Sequence, residues 1–238
     1  MKSQKLLSFN NDAKTVKGLG EGYYTGILYL IPDFKLCPMS RLAACHEACL
    51  VTAGRAGFDP NVNIGRQRKT DLFYADPVAF VDYLAHDIKL AQKRAYKHDL
   101  TLAIRLNGTS DIPWENYKGS NGMTLFEMFP DVIFYDYTKL PNRKVPANYH
   151  LTVSYSGANA KYVEKVKKTN HNIAVVFRNR ESIPSTFLGR KVIDGDKTDL
   201  RFTDPQNVIV ALYAKGSAKK DDTGFVVDVP DNIIAMAA

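Results

Sequence analysis

Cysteine is scarce in this 238-residue chain: there are three, Cys37, Cys45 and Cys49, all within thirteen residues, and none elsewhere. A number this small and odd argues against a secreted disulfide framework. Tryptophan is scarcer still, with Trp114 alone. No run of eighteen apolar residues occurs, so no membrane-spanning helix is expected, and the apolar stretch within MKSQKLLSFNNDAK is too short for a signal peptide. Neither GxGxxG nor GxxxxGK[ST] follows any expected strand, which removes the glycine loops that cradle nucleotide phosphates. What is present is an ordinary globular composition, 45% hydrophobic and 24% charged, which excludes a disordered, collagen-like or coiled-coil chain. These features together predict a cytoplasmic protein without a membrane partner. The net charge of +7, from 32 Lys and Arg against 25 Asp and Glu, is compatible with contact to nucleic acid.

Hydrophobic periodicity supplies the expected elements. Tyr23 to Ile31 reads as a buried strand, stopped by Pro32. In the cysteine segment, Ser40 is an expected cap for a helix to about Ala53, which would place Cys45 and Cys49 one turn apart with Cys37 in the loop before them. Asp76 and Pro77 mark the start of a long amphipathic helix to about Lys97. Strands are expected at Leu100 to Leu106, Val132 to Lys139, Tyr149 to Ser154, Ile173 to Phe177, Lys191 to Asp196 and Val208 to Tyr213. Short helices fall near Thr124 to Phe129 and Ala158 to Lys168. The strand–helix alternation predicts a parallel α/β fold, read as one domain forming a complete or partial (β/α) barrel of TIM-like type, with residues 1–22 as an N-terminal extension.

Polar clusters follow several strands, at the end where α/β enzymes assemble their sites. Asn107, Thr109, Asp111, Trp114 and Glu115 form the densest; a carboxylate beside amide and hydroxyl groups suits proton transfer or the holding of a ribose or amino group. The same residues also suit a local Asx or ST turn, and Trp114 suits either a planar ligand or the core. Asp136, Tyr137 and Lys139 end another strand, where Lys139 is a candidate base or imine former. Asp194 and Asp196 are candidate site carboxylates in KVIDGDKTDLRFTDP, which lacks the EF-hand register. Ser154, Ser156, Arg178, Lys215 and Lys219 can supply a phosphate or carboxylate site. Three clustered thiols offer ligands to one metal centre and leave one position open, as in a three-cysteine 4Fe-4S cluster, with zinc as the competing ion. Small apolar thiols that simply pack are the alternative.

The segments LCPMSRLAACHEACLVTAGRAG, IRLNGTSDIPWE, FYDYTK, VIDGDKTDLRF and ALYAKGSAKKDDTGFVVD resemble the bacteriophage family known as gene product eighty-eight, over about Tyr24 to Asp228. This resemblance implies a phage-encoded protein acting in the cytoplasm of a bacterial host. By topology the chain also resembles radical S-adenosylmethionine enzymes, whose partial barrels carry three cluster cysteines after the first strand. Their usual spacing is C-x3-C-x2-C, whereas the spacing here is C-x7-C-x3-C.

Three functions follow as expectations. The first is an iron-sulfur enzyme with a 4Fe-4S cluster on Cys37, Cys45 and Cys49, S-adenosylmethionine as a possible cofactor, and radical or redox chemistry on a small-molecule substrate. Its pocket would hold Asp111, Asp136, Lys139 and Asp194, with Asn107, Thr109, Ser154 and Arg178 binding the cofactor. The second is a zinc-dependent, transglycosylase-like enzyme acting on a nucleobase. The third is a non-catalytic basic protein that binds nucleic acid or a host partner.

Overall fold

The structure is a computed structural model that describes residues 5–9, 13–49, 57–181 and 183–229. It is a mixed α/β fold with nine strands among the described residues, hydrogen-bonded in the order β1-β2-β3-β4-β5-β6-β9-β8-β7. They are β1 (Leu7–Phe9), β2 (Tyr23–Leu28), β3 (Thr101–Arg105), β4 (Ile133–Thr138), β5 (Tyr149–Ser154), β6 (Asn172–Phe177), β7 (Thr186–Phe187), β8 (Arg190–Asp194) and β9 (Ile209–Tyr213). The first and last strands in that order, β1 and β7, run antiparallel to their neighbours. Pairings of β2 with β3, β3 with β4, β5 with β6, β6 with β9 and β8 with β9 are parallel. The order is open, and no pairing joins β1 to β7 among the described residues.

The chain divides into two compact units. The first comprises Met1–Asp33, Pro60–Asp136 and Arg143–His150. Within it, residues expected to form an extension supply β1 and α1 (Ala13–Gly20). Helices α2 (Pro60–Ala75) and α3 (Pro77–Lys97) follow. The start of α3 is as expected: the Asp76 carboxylate accepts from Ala79 N at 2.9 Å, and Pro77 occupies the first turn, where no amide donor is needed. Its inward face buries Phe80, Val81, Leu84, Ile88, Ala91 and Ala95. Asp87, also inward, accepts from Leu6 N at 2.6 Å and Leu7 N at 3.1 Å, while Lys69 of α2 donates to Leu6 O at 2.7 Å. Burial, with help from Arg66 and against Asp87, pushes the Lys69 pKa down to about 8. Helix α4 (Leu125–Met128) is held by a reciprocal box between Thr124 and Glu127.

The second unit comprises Phe34–Asp59, Tyr137–Asn142 and Leu151–Ala238. Its core is built from Val153, Ile173, Val175, Phe177 and Ile209 on the strands and Tyr155 just after β5, with Tyr162 and Val166 of α5 (Ala160–Lys167). Here one expectation fails. The described part of the cysteine segment is a succession of turns, not a helix, and positions 50–53 of the expected helix lie outside the described residues. The reason is visible at Ala44, whose φ of 52° is left-handed and ends any right-handed helical run.

Close approach at the end of β3 demands glycine at position 108. A Cβ there would lie 2.6 Å from both Leu28 O and a Tyr29 ring carbon, while Gly108 N donates to Leu28 O at 3.0 Å. Substitution Gly108→Ala is therefore expected to lower the unfolding free energy by about 1–3 kcal/mol, read as a reduced urea midpoint. A midpoint equal to the parent's would contradict this packing.

Candidate active site at the carboxyl ends of β3 and β4

In the first unit, β3 pairs with β4 through Ala103 and Ile104, after which the strands part. Their next backbone donors are taken by a side chain: the Asp136 carboxylate accepts from Asn107 N at 2.7 Å and Leu106 N at 3.3 Å. Asp136 is 0% exposed. Tyr149 donates its hydroxyl to Asp136 Oδ2 at 2.8 Å, and Arg105 Nε stands 3.8 Å from Oδ1. Burial pushes the Asp136 pKa up to about 7, although Arg105, Tyr149, Asn107 and Arg143 pull the other way.

From Asp136 a chain of hydrogen bonds runs outward. Arg143 Nη2 donates to the Tyr149 oxygen at 3.3 Å and to Glu115 Oε2 at 2.5 Å, and its Nε donates to Glu115 Oε1 at 2.9 Å. Asp111 Oδ1 lies 3.7 Å from Arg143 Nη1. Burial opposes the Arg143 charge, but the fork onto Glu115 outweighs it and holds the guanidinium above its ordinary pKa. Burial and the neighbouring Asp136 together hold the Tyr149 phenol protonated, well above its usual range. The Glu115 side chain, 14% exposed, is the most open member of the chain.

Asn107 shapes the loop above. Its amide oxygen accepts from Ser110 Oγ at 2.8 Å, Ile112 N at 2.9 Å and Trp114 Nε1 at 3.2 Å, and its nitrogen donates to Ile112 O at 3.0 Å. Thr109 Oγ1 donates to Leu30 O at 2.5 Å, tying the loop to the segment that follows β2. Trp114 is core: it is buried against Phe73 and Phe80.

The structure thus brings Asn107, Asp111 and Asp136 into one network, and adds Arg105, Arg143 and Tyr149, which sequence reasoning missed. One signal was available. Arg105 is a charge at the end of the strand TLAIR, flanked by Ile104 and Leu106, and a charge buried there needs a partner.

The remaining candidates lie in the second unit. Lys139 is buried, with Nζ donating to Ser154 O at 3.1 Å and Tyr155 O at 3.0 Å beside the Phe225 ring. Ser154 serves there through its backbone oxygen, which also accepts from the Tyr162 hydroxyl. Asp194 pairs with Arg180 at 2.7 Å and also accepts from Asp196 N at 2.9 Å. Arg178 pairs with Asp228 and donates to Lys219 O and Asp221 O. Ser156 Oγ donates to Ala43 O, fastening the cysteine segment to the end of β5. Within that segment, Cys45 Sγ donates to Ser40 O at 3.8 Å and His46 Nδ1 lies 3.2 Å from the same oxygen. Among the described residues, no three His, Cys, Asp or Glu side chains gather where they would hold one metal ion.

The family model for Gene product 88 matches residues 5–229. The chain belongs to this family. The bacteriophage resemblance carried by the motifs is thereby established for almost its whole length, while the likeness to radical S-adenosylmethionine enzymes has no counterpart in the comparisons. No match is found among the curated proteins or among the solved structures. No helix among the described residues is long and apolar enough to cross a membrane.

The raised pKa of Asp136 has a definite linkage consequence. Between about pH 4 and pH 7 the folded chain keeps a proton that the unfolded chain releases, so this group's stabilisation is complete below about pH 4 and is lost as pH rises through 7. Unfolding free energies of the parent and of Asp136→Asn, measured from pH 4 to 8, are expected to differ by a decline on the order of 4 kcal/mol that only the parent shows. Parallel profiles would show that Asp136 ionises at an ordinary carboxylate pKa.

Proposed function

We propose that this chain is an enzyme performing proton transfer on a small polar substrate at the carboxyl ends of β3 and β4. The observation that carries this reading is the hydrogen-bonded chain from a fully buried carboxylate, Asp136, through Tyr149 and Arg143 to the part-exposed Glu115. Carboxylates with a pKa near neutrality in a network of charge partners concentrate at catalytic sites. Asp111 and Glu115 present carboxylates to the substrate, with Arg143 holding both in place. Asp136 acts as a positioning residue: Tyr149 donates to it, and Arg143, a donor only and so no relay for protons, ties Tyr149 to the outer carboxylates. The location agrees with the rule that open α/β sheets bind ligands outside the carboxyl ends of their strands. A nucleobase or nucleoside, rich in exchangeable N–H groups, suits two carboxylates as hydrogen-bond acceptors.

The test is a panel of nucleobases, nucleosides and small carbonyl compounds, followed by NMR for product formation and for exchange of carbon-bound hydrogen in deuterated buffer. Conversion of at least one compound is expected, with the rate lowered about 100-fold or more by Asp111→Ala and by Asp136→Asn. Asp136→Asn should also flatten the pH–rate profile near neutrality. An inert panel, or variants as fast as the parent, overturns the proposal.

A 4Fe-4S enzyme stands as the second reading. Its support is the confinement of Cys37, Cys45 and Cys49 to one turn-rich segment of the second unit, and it requires the three sulfurs to be drawn together. Iron, sulfide and zinc analysis of protein purified without oxygen decides it. Stoichiometric iron and sulfide with a visible cluster spectrum would establish this reading. Stoichiometric zinc would establish the zinc alternative, and metal-free protein would remove both.

A further inference from the structure

The outward face of α3 has no part in the site described above. Lys89, Lys93, Arg94 and Lys97 are all exposed there, and none forms an ion pair with a described carboxylate. Four cations thus fall within nine residues. Among them are two large apolar side chains left in solvent: Leu90, 43% exposed, and Tyr96, 89% exposed. At about 100° per residue, Tyr96, Lys89, Lys93, Lys97, Leu90 and Arg94 follow one another around an arc of about 160°. The core residues Leu84, Ile88, Ala91 and Ala95 occupy the opposite side. Nearby acids do not neutralise the face. Asp87 turns inward onto Leu6 and Leu7, Asp82 accepts from Ser120 N, and Asp99 lies beyond the helix end.

The Tyr96 ring stands almost wholly in solvent, so its apolar area is left unburied and its faces open. A ring standing free beside four unneutralised cations matches what single-stranded nucleic acid requires, namely phosphate neutralisation along the backbone with a base stacked on an aromatic face. A lipid surface fits less well. Amphipathic helices bind membranes through a continuous apolar face, and here that face is spent on the core.

We propose that the face of α3 formed by Lys89, Lys93, Arg94, Tyr96 and Lys97 binds single-stranded nucleic acid. The cations contact phosphates and Tyr96 stacks on a base. Recognition is tolerant of sequence, since every base offers a π-face and the cations read only the backbone. This surface is independent of the proton-transfer site, so either can fail without the other.

Fluorescence anisotropy of the full chain with labelled 20-nucleotide DNA, RNA of the same sequence, and the DNA duplex, across a salt series, tests the proposal. Binding to at least one single strand is expected, and preference between the two strands identifies the natural source of the ligand. In the quadruple variant Lys89→Gln, Lys93→Gln, Arg94→Gln, Lys97→Gln, the slope of log K against log salt should shrink by about 2.8. Tyr96→Ala should weaken single-strand binding about 5- to 150-fold without changing that slope, and Tyr96→Phe should restore it. Thermal unfolding of each variant confirms that the helix is intact, as expected for exposed positions; if the quadruple variant unfolds, the single substitutions and Tyr96→Ala carry the test. Absence of single-strand binding, an unchanged slope in the variant, or binding only to anionic phosphatidylserine vesicles would overturn it.

Discussion

The first unit depends on a carboxylate standing where a strand would be. After Ile104 the β3–β4 ladder ends, yet the backbone of Leu106 and Asn107 stays buried, and a buried N–H left without an acceptor costs about 1–3 kcal/mol. Asp136 removes that cost by accepting from both amides with one side chain. It thereby continues the ladder by other means and fixes where the chain turns out of β3. The constraint propagates through Asn107. Its backbone is pinned by Asp136, so its amide can gather Ser110, Ile112 and Trp114 and set the course of the loop that carries Asp111 and Glu115.

Burying that carboxylate creates a second requirement. A lone charge with no access to water is strongly unfavourable, and the fold answers in two ways. It surrounds Asp136 with Arg105, Tyr149 and, one step out, Arg143; and it lets the carboxyl hold its proton to about neutral pH. Neither answer is complete without the other. Were the cations dominant, Asp136 would be permanently ionised and inert, whereas without them it would be permanently protonated and a poor acceptor for the two amides. The opposition of burial and charge leaves the group poised near neutral pH.

Legibility in the sequence followed the range of the interactions concerned. Helix α3 was readable because its signals are local: Asp76 caps, Pro77 starts, and apolar residues repeat at helical spacing until Lys97. Strands β3 to β6 were readable from continuous apolar runs, which also indicated parallel pairing. Helix α2 escaped because its polar run PNVNIGRQRKTDLFYA buries little more than Thr70 and Phe73, too few positions to show a period. The cysteine segment was misread for the opposite reason. Its composition suits a helix, and nothing local announces the left-handed turn at Ala44. The site divided in the same way. Asn107, Asp111 and Asp136 declared themselves as polar residues at strand ends, while Tyr149 and Arg143 joined them only through pairings 13 to 42 residues apart.

Helix α3 shows how far a structural role accounts for charge. Cations near a helix carboxyl end are favoured by its dipole, by about 0.3–1 kcal/mol each, but the effect fades within the last turn. Arg94 and Lys97 occupy that turn, and for them the dipole is reason enough. Lys89 and Lys93 lie further back, where the dipole contributes little, and no i,i+4 glutamate or aspartate stands ready to pair with them on the outward face. Helix propensity permits lysine there without requiring it, and it says nothing about a tyrosine at position 96 held almost wholly in solvent. Folding alone thus explains the inner face of α3 and half of its charge. The remainder exceeds what the dipole and ion pairing account for, and the proposed binding of single-stranded nucleic acid rests on that excess of cations around a bare ring.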